Sequence, residues 1–276
     1  MRLLSWNVQW CRGVDGVVDP ARIAAEARRL DPDVICLQEI AANFPALAGS
    51  KGEDQAHMLM HELPGYEGCL VSGVDIPGST GKRSRFGNLI LSRLAVGRVL
   101  RHSLPWPPAL EVPSMPRVAL EAVVEASFGP VRITTTHLEY YSSGHRAAQI
   151  GRLRELHLES GKKKPVASEG PFRWLAHPAS AIVCGDFNLP PEDPLHDLMV
   201  EPFLDDVPGF VDAWQALHRG APHPHTFRVH EREVGESPYC CDFIFVTEDL
   251  VPRLRSIRVD GANRASDHQP VILELV

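Results

Sequence analysis

Four apolar residues, Ala181-Ile182-Val183-Cys184, run straight into Gly185-Asp186-Phe187-Asn188, and Leu189-Pro190-Pro191 closes the stretch. An apolar run bounded by Gly and Pro predicts a buried strand that stops abruptly. Asp186 and Asn188 are two residues apart, so continued extended geometry would send both side chains from one face. A carboxylate and an amide leaving the end of a core strand can take a proton, hold a cation or donate to an oxyanion. The plain alternative is a turn Asp bonding its own backbone. The rest of the chain decides between them.

Short apolar runs of this kind recur. Residues 2–9 predict a first strand ending at Trp6-Asn7. Asp19-Pro20 opens a helix with an N-capping Asp and Pro at the first helical position, and Ile23, Ala27 and Leu30 share one face. Asp31-Pro32 ends it, and Val34-Ile35-Cys36-Leu37 leads as a buried strand into Gln38-Glu39. Between 41 and 86 the pattern gives a short helix near 54–62 and then Gly- and Pro-rich loops. Residues 88–92 read as a strand, and the prolines across 101–116 exclude regular structure there. Arg117 to Ser127 alternates, with Val118, Leu120, Ala122 and Val124 on one face, and Gly129-Pro130 turns it into Val131–Thr136 as a hairpin. Residues 143–159 are helical in pattern, with Ile150, Leu153 and His157 inward and the arginines outward. A Lys/Pro/Gly loop covers 160–172. A short helix follows near 194–199, then loops to 225, and strands at 240–246, 254–259 and 270–275. Strands outnumber helices and no linker divides the chain, so residues 1–276 are expected to form one domain of two packed sheets with helices outside.

Composition limits the function classes. A hydrophobic content of 44% with 23% charged residues is that of a globular chain, and the net charge of -7 argues against a broad phosphate-gripping surface. The six cysteines lack C-x-x-C spacing, and several lie in strand-like runs. They are expected to be reduced core thiols, placing the protein in the cytoplasm. No run of about 18 uncharged apolar residues exists, and the N-terminus reads as a strand rather than a signal peptide, so no membrane span is expected.

Polar clusters recur where strands end: Trp6-Asn7, Gln38-Glu39, Thr136-His137, Asp186/Asn188 and Ser266-Asp267-His268. Asp242 lies within the apolar run Cys241–Phe245, where a carboxylate is costly unless paired, and His268 is its economical partner. Four carboxylates (Glu39, Asp186, Asp242, Asp267), two amides (Asn7, Asn188) and two imidazoles (His137, His268) make an oxygen-rich, thiolate-free set. Such a set suits Mg²⁺ or Mn²⁺ rather than zinc, and imidazoles and amides around a metal can neutralise a phosphoryl transition state.

These words resemble the endonuclease/exonuclease/phosphatase (DNase I-like) superfamily, in its order: Ser-Trp-Asn at 5–7, Leu-Gln-Glu at 37–39, Gly-Asn-Leu-Ile-Leu-Ser at 87–92, Thr-His-Leu at 136–138, Gly-Asp-Phe-Asn at 185–188, Asp-Phe-Ile-Phe at 242–245 and Ser-Asp-His-x-Pro-Val at 266–271. The resemblance implies an α/β fold, a four-layer α-β-β-α sandwich of two mixed sheets with the site at one end. It implies Glu39 as principal metal ligand with Asn7 and Asp267 beside the metal, and Asp186 aligning or deprotonating the attacking water. Asn188 and His137 would donate to the phosphoryl oxygens, and His268, oriented by Asp242, would bind the phosphate or move a proton. The expected activity is a Mg²⁺- or Mn²⁺-dependent phosphoester hydrolase, a phosphodiesterase rather than a phosphomonoesterase. The alternatives are a nuclease on DNA or RNA, with nucleic acid as a partner that is not favoured, and an inactive relative that binds nucleic acid or protein. Cys240 and Phe243 replace the family's usual Arg and Tyr, Gln9 stands where apurinic-site endonucleases carry a carboxylate, and their DNA-gripping loop has no counterpart in 138–141. These departures argue against apurinic-site activity.

Other residues carry two readings. Lys82, Arg83 and Arg85, just before Asn88, are either a phosphate clamp or solvated loop charges, and Arg85 and Asn88 are kept as candidate substrate-binding residues. Arg146 and Gln149 face either the site or water. His57 and His61 have metal-capable spacing but Met58 replaces the Glu of the zinc-protease motif, which favours a helix surface. His223-Pro-His225 reads as a loop, and Lys162–Lys164 as a solvated one. Tyr140, Tyr141, Trp106 and Trp174 could stack on a base or lipid, with burial the commoner fate.

Overall fold

The structure is a computed structural model describing residues 1–79, 81–108, 112–162, 169–170, 175–204, 206–230 and 237–276. Trp174 and the end of the Lys162–Lys164 run lie outside the described residues.

The first half of the chain runs β1 (Arg2–Asn7), α1 (Pro20–Leu30), β2 (Val34–Ala42), α2 (Gln55–Glu62), β3 (Glu67–Pro77), β4 (Arg83–Ser92), β5 (Val96–Ser103), β6 (Val118–Ala126) and β7 (Gly129–His137). The second runs α3 (Ser143–Gly161), β8 (Ala181–Asp186), α4 (Pro194–Val200), β9 (Phe210–Asp212), α5 (Ala213–Leu217), β10 (Asp242–Thr247), β11 (Leu254–Val259) and β12 (Val271–Leu275). One six-stranded sheet has the order β11-β12-β1-β2-β4-β3 and the other β5-β6-β7-β8-β10-β9. Each contains one parallel pair, β1 with β2 and β7 with β8, among antiparallel neighbours. Both sheets are mixed.

Alternate residues of the central strands serve different layers, as a period of two requires. Leu3, Cys36 and Ile90 pack between the sheets against Leu120, Ile133 and Ile244. Their neighbours Leu4, Ile35 and Leu89 turn outward to meet Ile23, Ala27 and Leu30 of α1 and Leu59 of α2. On the far side Ala119, Val183 and Phe245 are covered by Ile150 and Leu153 of α3 and Met199 of α4. The result is the expected four-layer sandwich, and burial on both faces explains why the central strands read as continuous apolar runs. Asp19 caps α1 by accepting from the Arg22 amide at 3.1 Å, and Asp31 ends it in the left-handed region at φ 49°. All six cysteines are free and buried. Among the described residues no helix is long and apolar enough to cross a membrane.

The structure departs from the sequence expectation at the edges. β3 and the first half of β4 replace the loops expected up to residue 86, β5 enters the proline-rich region, and β9 and α5 interrupt the loop expected up to 225. β3 and β5 are edge strands, partly exposed along their length, so neither carries a clean alternation. His223 lies in a loop as expected, but its imidazole is buried against Asp212 at 2.8 Å, where His196 also lies at 2.8 Å.

Candidate active site

The site assembles at the end of both sheets where β1, β2, β7 and β8 stop and β10 begins. Register does much of the placement. His137 of β7 is the Cα partner of Asp186 of β8, which is in turn the partner of Asp242 of β10. Gly185 makes that row possible: its φ is 138°, and a Cβ there would stand 1.9 Å from the Thr136 carbonyl oxygen. Extended geometry does not continue to Asn188, whose φ is 52°. Its amide still reaches the site, but Nδ2 donates to the Leu138 carbonyl at 2.9 Å while its backbone N–H donates to Asp186 Oδ1 at 2.9 Å. In the other sheet a bulge between Leu37 and Ile40 re-aims β2, leaving Glu39 at φ 61°.

The two sheets meet through side chains. Asn7 Nδ2 donates to Glu39 Oε1 at 3.1 Å and to Asp186 Oδ2 across the seam at 2.9 Å. Gln9 Nε2 donates to Asp267 Oδ2 at 2.6 Å, and Ser266 Oγ fixes the approach to β12 by donating to the Asn7 carbonyl at 2.8 Å. His268 Nδ1 lies 2.9 Å from Asp242 Oδ2, which also accepts from Thr226 Oγ1 at 2.6 Å. The other ring nitrogen, Nε2, stands 3.7 Å from Asp186 Oδ2. His137 sits between carboxylates, 3.8 Å from Glu39 and 3.5 Å from Asp186. All eight residues expected at the core of the site are thus brought together.

Electrostatics sort them. Burial works against charge on His268, but the carboxylates of Asp242 and then Asp186 raise it well above the ordinary histidine range, so it is an imidazolium. Burial, then Arg117, holds His137 far below that range and leaves it neutral. Burial, then Asp267, pushes Glu39 up to about 7, although its side chain keeps 16% exposure and solvent relieves part of that shift. Asp186 and Asp267 are also raised, first by burial. Three crowded carboxyls that resist ionisation together form an all-oxygen set that a hard divalent cation would relieve. The donor chemistry therefore fits such an ion.

Arg117 was not singled out by its sequence, because it looks like the first residue of a strand. It is 6% exposed, lies 3.5 Å through Nε from Glu139 Oε2, and neither Nε nor Nη1 makes a hydrogen bond. It lines a cavity of about 310 Å³ together with Glu39, His137, Asp186, Asp267 and His268. An Arg placed between Pro116 and an apolar run was the available signal, since a guanidinium is costly to bury without a use. Arg85 and Asn88 are not brought into this cavity. Arg83 and Arg85 pair with Asp75 at the surface, and Asn88 Nδ2 donates to the Val118 carbonyl at 3.0 Å, tying β4 to β6. Arg146 and Gln149 bond the Glu139–Tyr140 backbone and so brace the loop after β7. His57 and His61 are exposed on α2. Tyr140 and Tyr141, expected to be buried, are 39% and 60% exposed and line the cavity.

A profile of the Endonuclease/Exonuclease/phosphatase family matches residues 4–268. The chain belongs to that family. Its members are hydrolases acting on phosphoesters. No curated protein matches the chain in sequence. Solved structures with the same fold include an endonuclease/exonuclease/phosphatase from Beutenbergia cavernae, with TM-score 0.71 and 21% identity over 100% of this chain and 71% of that one. The human Nocturnin catalytic domain with bound sulfate aligns at TM-score 0.65 and 19% identity, covering 100% and 93% of the two chains. The mannosyl-6-phosphatase of Bacteroides thetaiotaomicron aligns at TM-score 0.65 and 19% identity, covering 100% and 99%. These neighbours of the endonuclease/exonuclease/phosphatase chain support its α/β sandwich.

Proposed function

We propose that this chain, acting as one domain, is a Mg²⁺- or Mn²⁺-dependent phosphodiester hydrolase working by in-line attack of water. The observation that carries the reading is a buried guanidinium with unused donors, Arg117, in the same cavity as clustered acids and an imidazole, His268, that Asp242 fixes through Nδ1 at 2.9 Å. Glu39, with Asn7 and Asp267, would hold the cation, which when bound supplies positive charge against the charge developing on the phosphoryl oxygens.

Asp186 orients the water and accepts its proton as the new P–O bond forms. The neutral His137, Asn188 and Arg117 are the donors available to the non-bridging oxygens. His268, fixed by Asp242 through Nδ1, presents Nε2 to the phosphoryl group and can donate the proton that the leaving oxygen takes as the old P–O bond breaks. Charge balance favours a diester. Glu39, Asp186, Asp242 and Asp267, together with Glu139 beside Arg117, outnumber the positive charges of Arg117, His268 and one divalent cation, so a dianionic monoester would be opposed more strongly than a monoanionic diester. Six buried free thiols fit a reducing compartment such as the cytoplasm.

The test is hydrolysis of bis-p-nitrophenyl phosphate with Mg²⁺ or Mn²⁺, with chelator as control. Asp186→Ala and His268→Ala should each lower kcat at least about 100-fold. Undiminished turnover in either variant overturns the assignment. A steep fall of oligonucleotide affinity with salt would instead support a nuclease.

A further inference from the structure

The cavity above the acids has an unusual lining for a phosphoester site. Six aromatic residues face it, Trp10, Phe44, Phe86, Tyr140, Tyr141 and Phe227, joined by three aliphatic ones. The six aromatics come from five separate segments: the turn after β1, the loop after β2, β4, the loop after β7 and the approach to β10. Among the described residues Arg117 is the one Arg or Lys in that lining. The nearby arginines at 83 and 85 are turned to Asp75.

A polynucleotide or a polyphosphorylated ring presents several anionic groups and needs a track of cations to neutralise them. This site offers one guanidinium, in a chain whose net charge is -7. The volume, about 310 Å³, is at the small end of the range for small-molecule sites. Apolar surface held open beside a charged floor is relieved when an apolar group covers it.

We propose, building on the hydrolase reading, that the substrate is a monomeric phosphoester with a single anionic phosphorus. One substituent on that phosphorus is an apolar ring or short chain lodged against the aromatic wall. The reacting group is positioned by Arg117 and the acids, and selectivity comes from the wall. Tyr141, 60% exposed, is the wall residue whose truncation least disturbs folding.

The experiment measures binding of the monomethyl esters of methyl-, butyl- and phenylphosphonic acid, each a monoanion, to the Mn²⁺-loaded protein by calorimetry, with a short oligothymidylate as the polyanionic comparison. Bis-p-nitrophenyl phosphate hydrolysis is followed in parallel. Affinity is expected to rise on the order of tenfold or more from methyl to the larger substituents. The butyl and phenyl arms separate a chain from a ring as the natural group. Tyr141→Ala and Phe44→Ala should each shrink the phenyl-to-methyl ratio several-fold. Equal affinities across the series, an unchanged ratio in both variants, or tighter binding of the oligonucleotide at physiological salt would each overturn the inference. Turnover with a flat binding series would leave the hydrolase reading standing and remove only this one. Graded binding without turnover would overturn the hydrolase reading, and with it the claim that the ligand is a substrate, leaving only the selectivity of the wall.

Discussion

Arg117 shows how a single side chain can escape sequence reading and still shape the site. The residues at 7, 39, 137, 186, 188, 267 and 268 were legible because polar groups cluster where apolar runs end, Asp242 because it lies inside one, and all eight because the words they stand in keep a family's order. Arg117 precedes such a strand and reads as an ordinary flank. Its Nε is turned to Glu139, and Nη1 makes no hydrogen bond and is left as a donor for a phosphoryl oxygen. Arg117→Ala is expected to lower kcat/KM on a phosphodiester by about 100-fold or more, and Arg117→Lys should recover little of it, because an ammonium cannot pair with Glu139 and reach the phosphoryl oxygen with the same rigid planar geometry. Steady-state kinetics with circular dichroism as a folding control checks this. Gly185 is equally constrained, by backbone rather than charge. Gly185→Ala would drive a Cβ into the Thr136 carbonyl and part the His137–Asp186 row, and denaturant melts should show a loss of several kcal/mol, on the order of 3.

At the level of strands and helices, what was readable followed burial. Central strands and the capped helix α1 matched their patterns closely, whereas edge strands β3 and β5 carried mixed exposure that alternation cannot report. The bulge that aims Glu39 was also invisible, since nothing in Leu-Gln-Glu distinguishes a bulged strand from a regular one. Helix α3 carries a pH signal of its own. His157 is buried, with Nδ1 2.7 Å from Arg132 Nη2 and Nε2 bonded to the Pro208 carbonyl at 2.9 Å, so the ring is neutral. Burial, then Arg132, lowers its pKa from 6.5 to about 4. A depressed folded-state value means the unfolded chain binds more protons between those limits. The contribution is present in full above pH 6.5 and is lost as pH falls toward 4, on the order of 3 kcal/mol at most. The raised carboxyls of the site change stability in the opposite direction over this range, so the measurement is a difference: in urea melts at pH 7 and 4.5, in chelator throughout, the gap in stability between the wild type and His157→Asn should shift toward the variant by up to this amount at the lower pH.

At the scale of the whole molecule, the proposed cation would couple to stability. With chelator present, Glu39, Asp186 and Asp267 repel one another, and a divalent cation held as proposed would bind the folded state alone. At a concentration about a hundredfold above its Kd the ion should raise Tm by on the order of 5 °C. Glu39→Gln should raise Tm in chelator, because one repelling charge is gone, and should abolish most of the rise with Mg²⁺ or Mn²⁺. Differential scanning fluorimetry of both proteins with and without the ion tests the pair of outcomes.

The seam bridged by Asn7 and Asp186 has a consequence beyond the chemistry at its mouth. Because half of the eight proposed site residues hang from each sheet, the thickness of the hydrocarbon layer between the sheets would set the aperture in which phosphorus sits. Thinning that layer, as with Leu120→Ala, should slow turnover out of proportion to any change in substrate affinity. The packing of the interior is, in this architecture, a dimension of the active site.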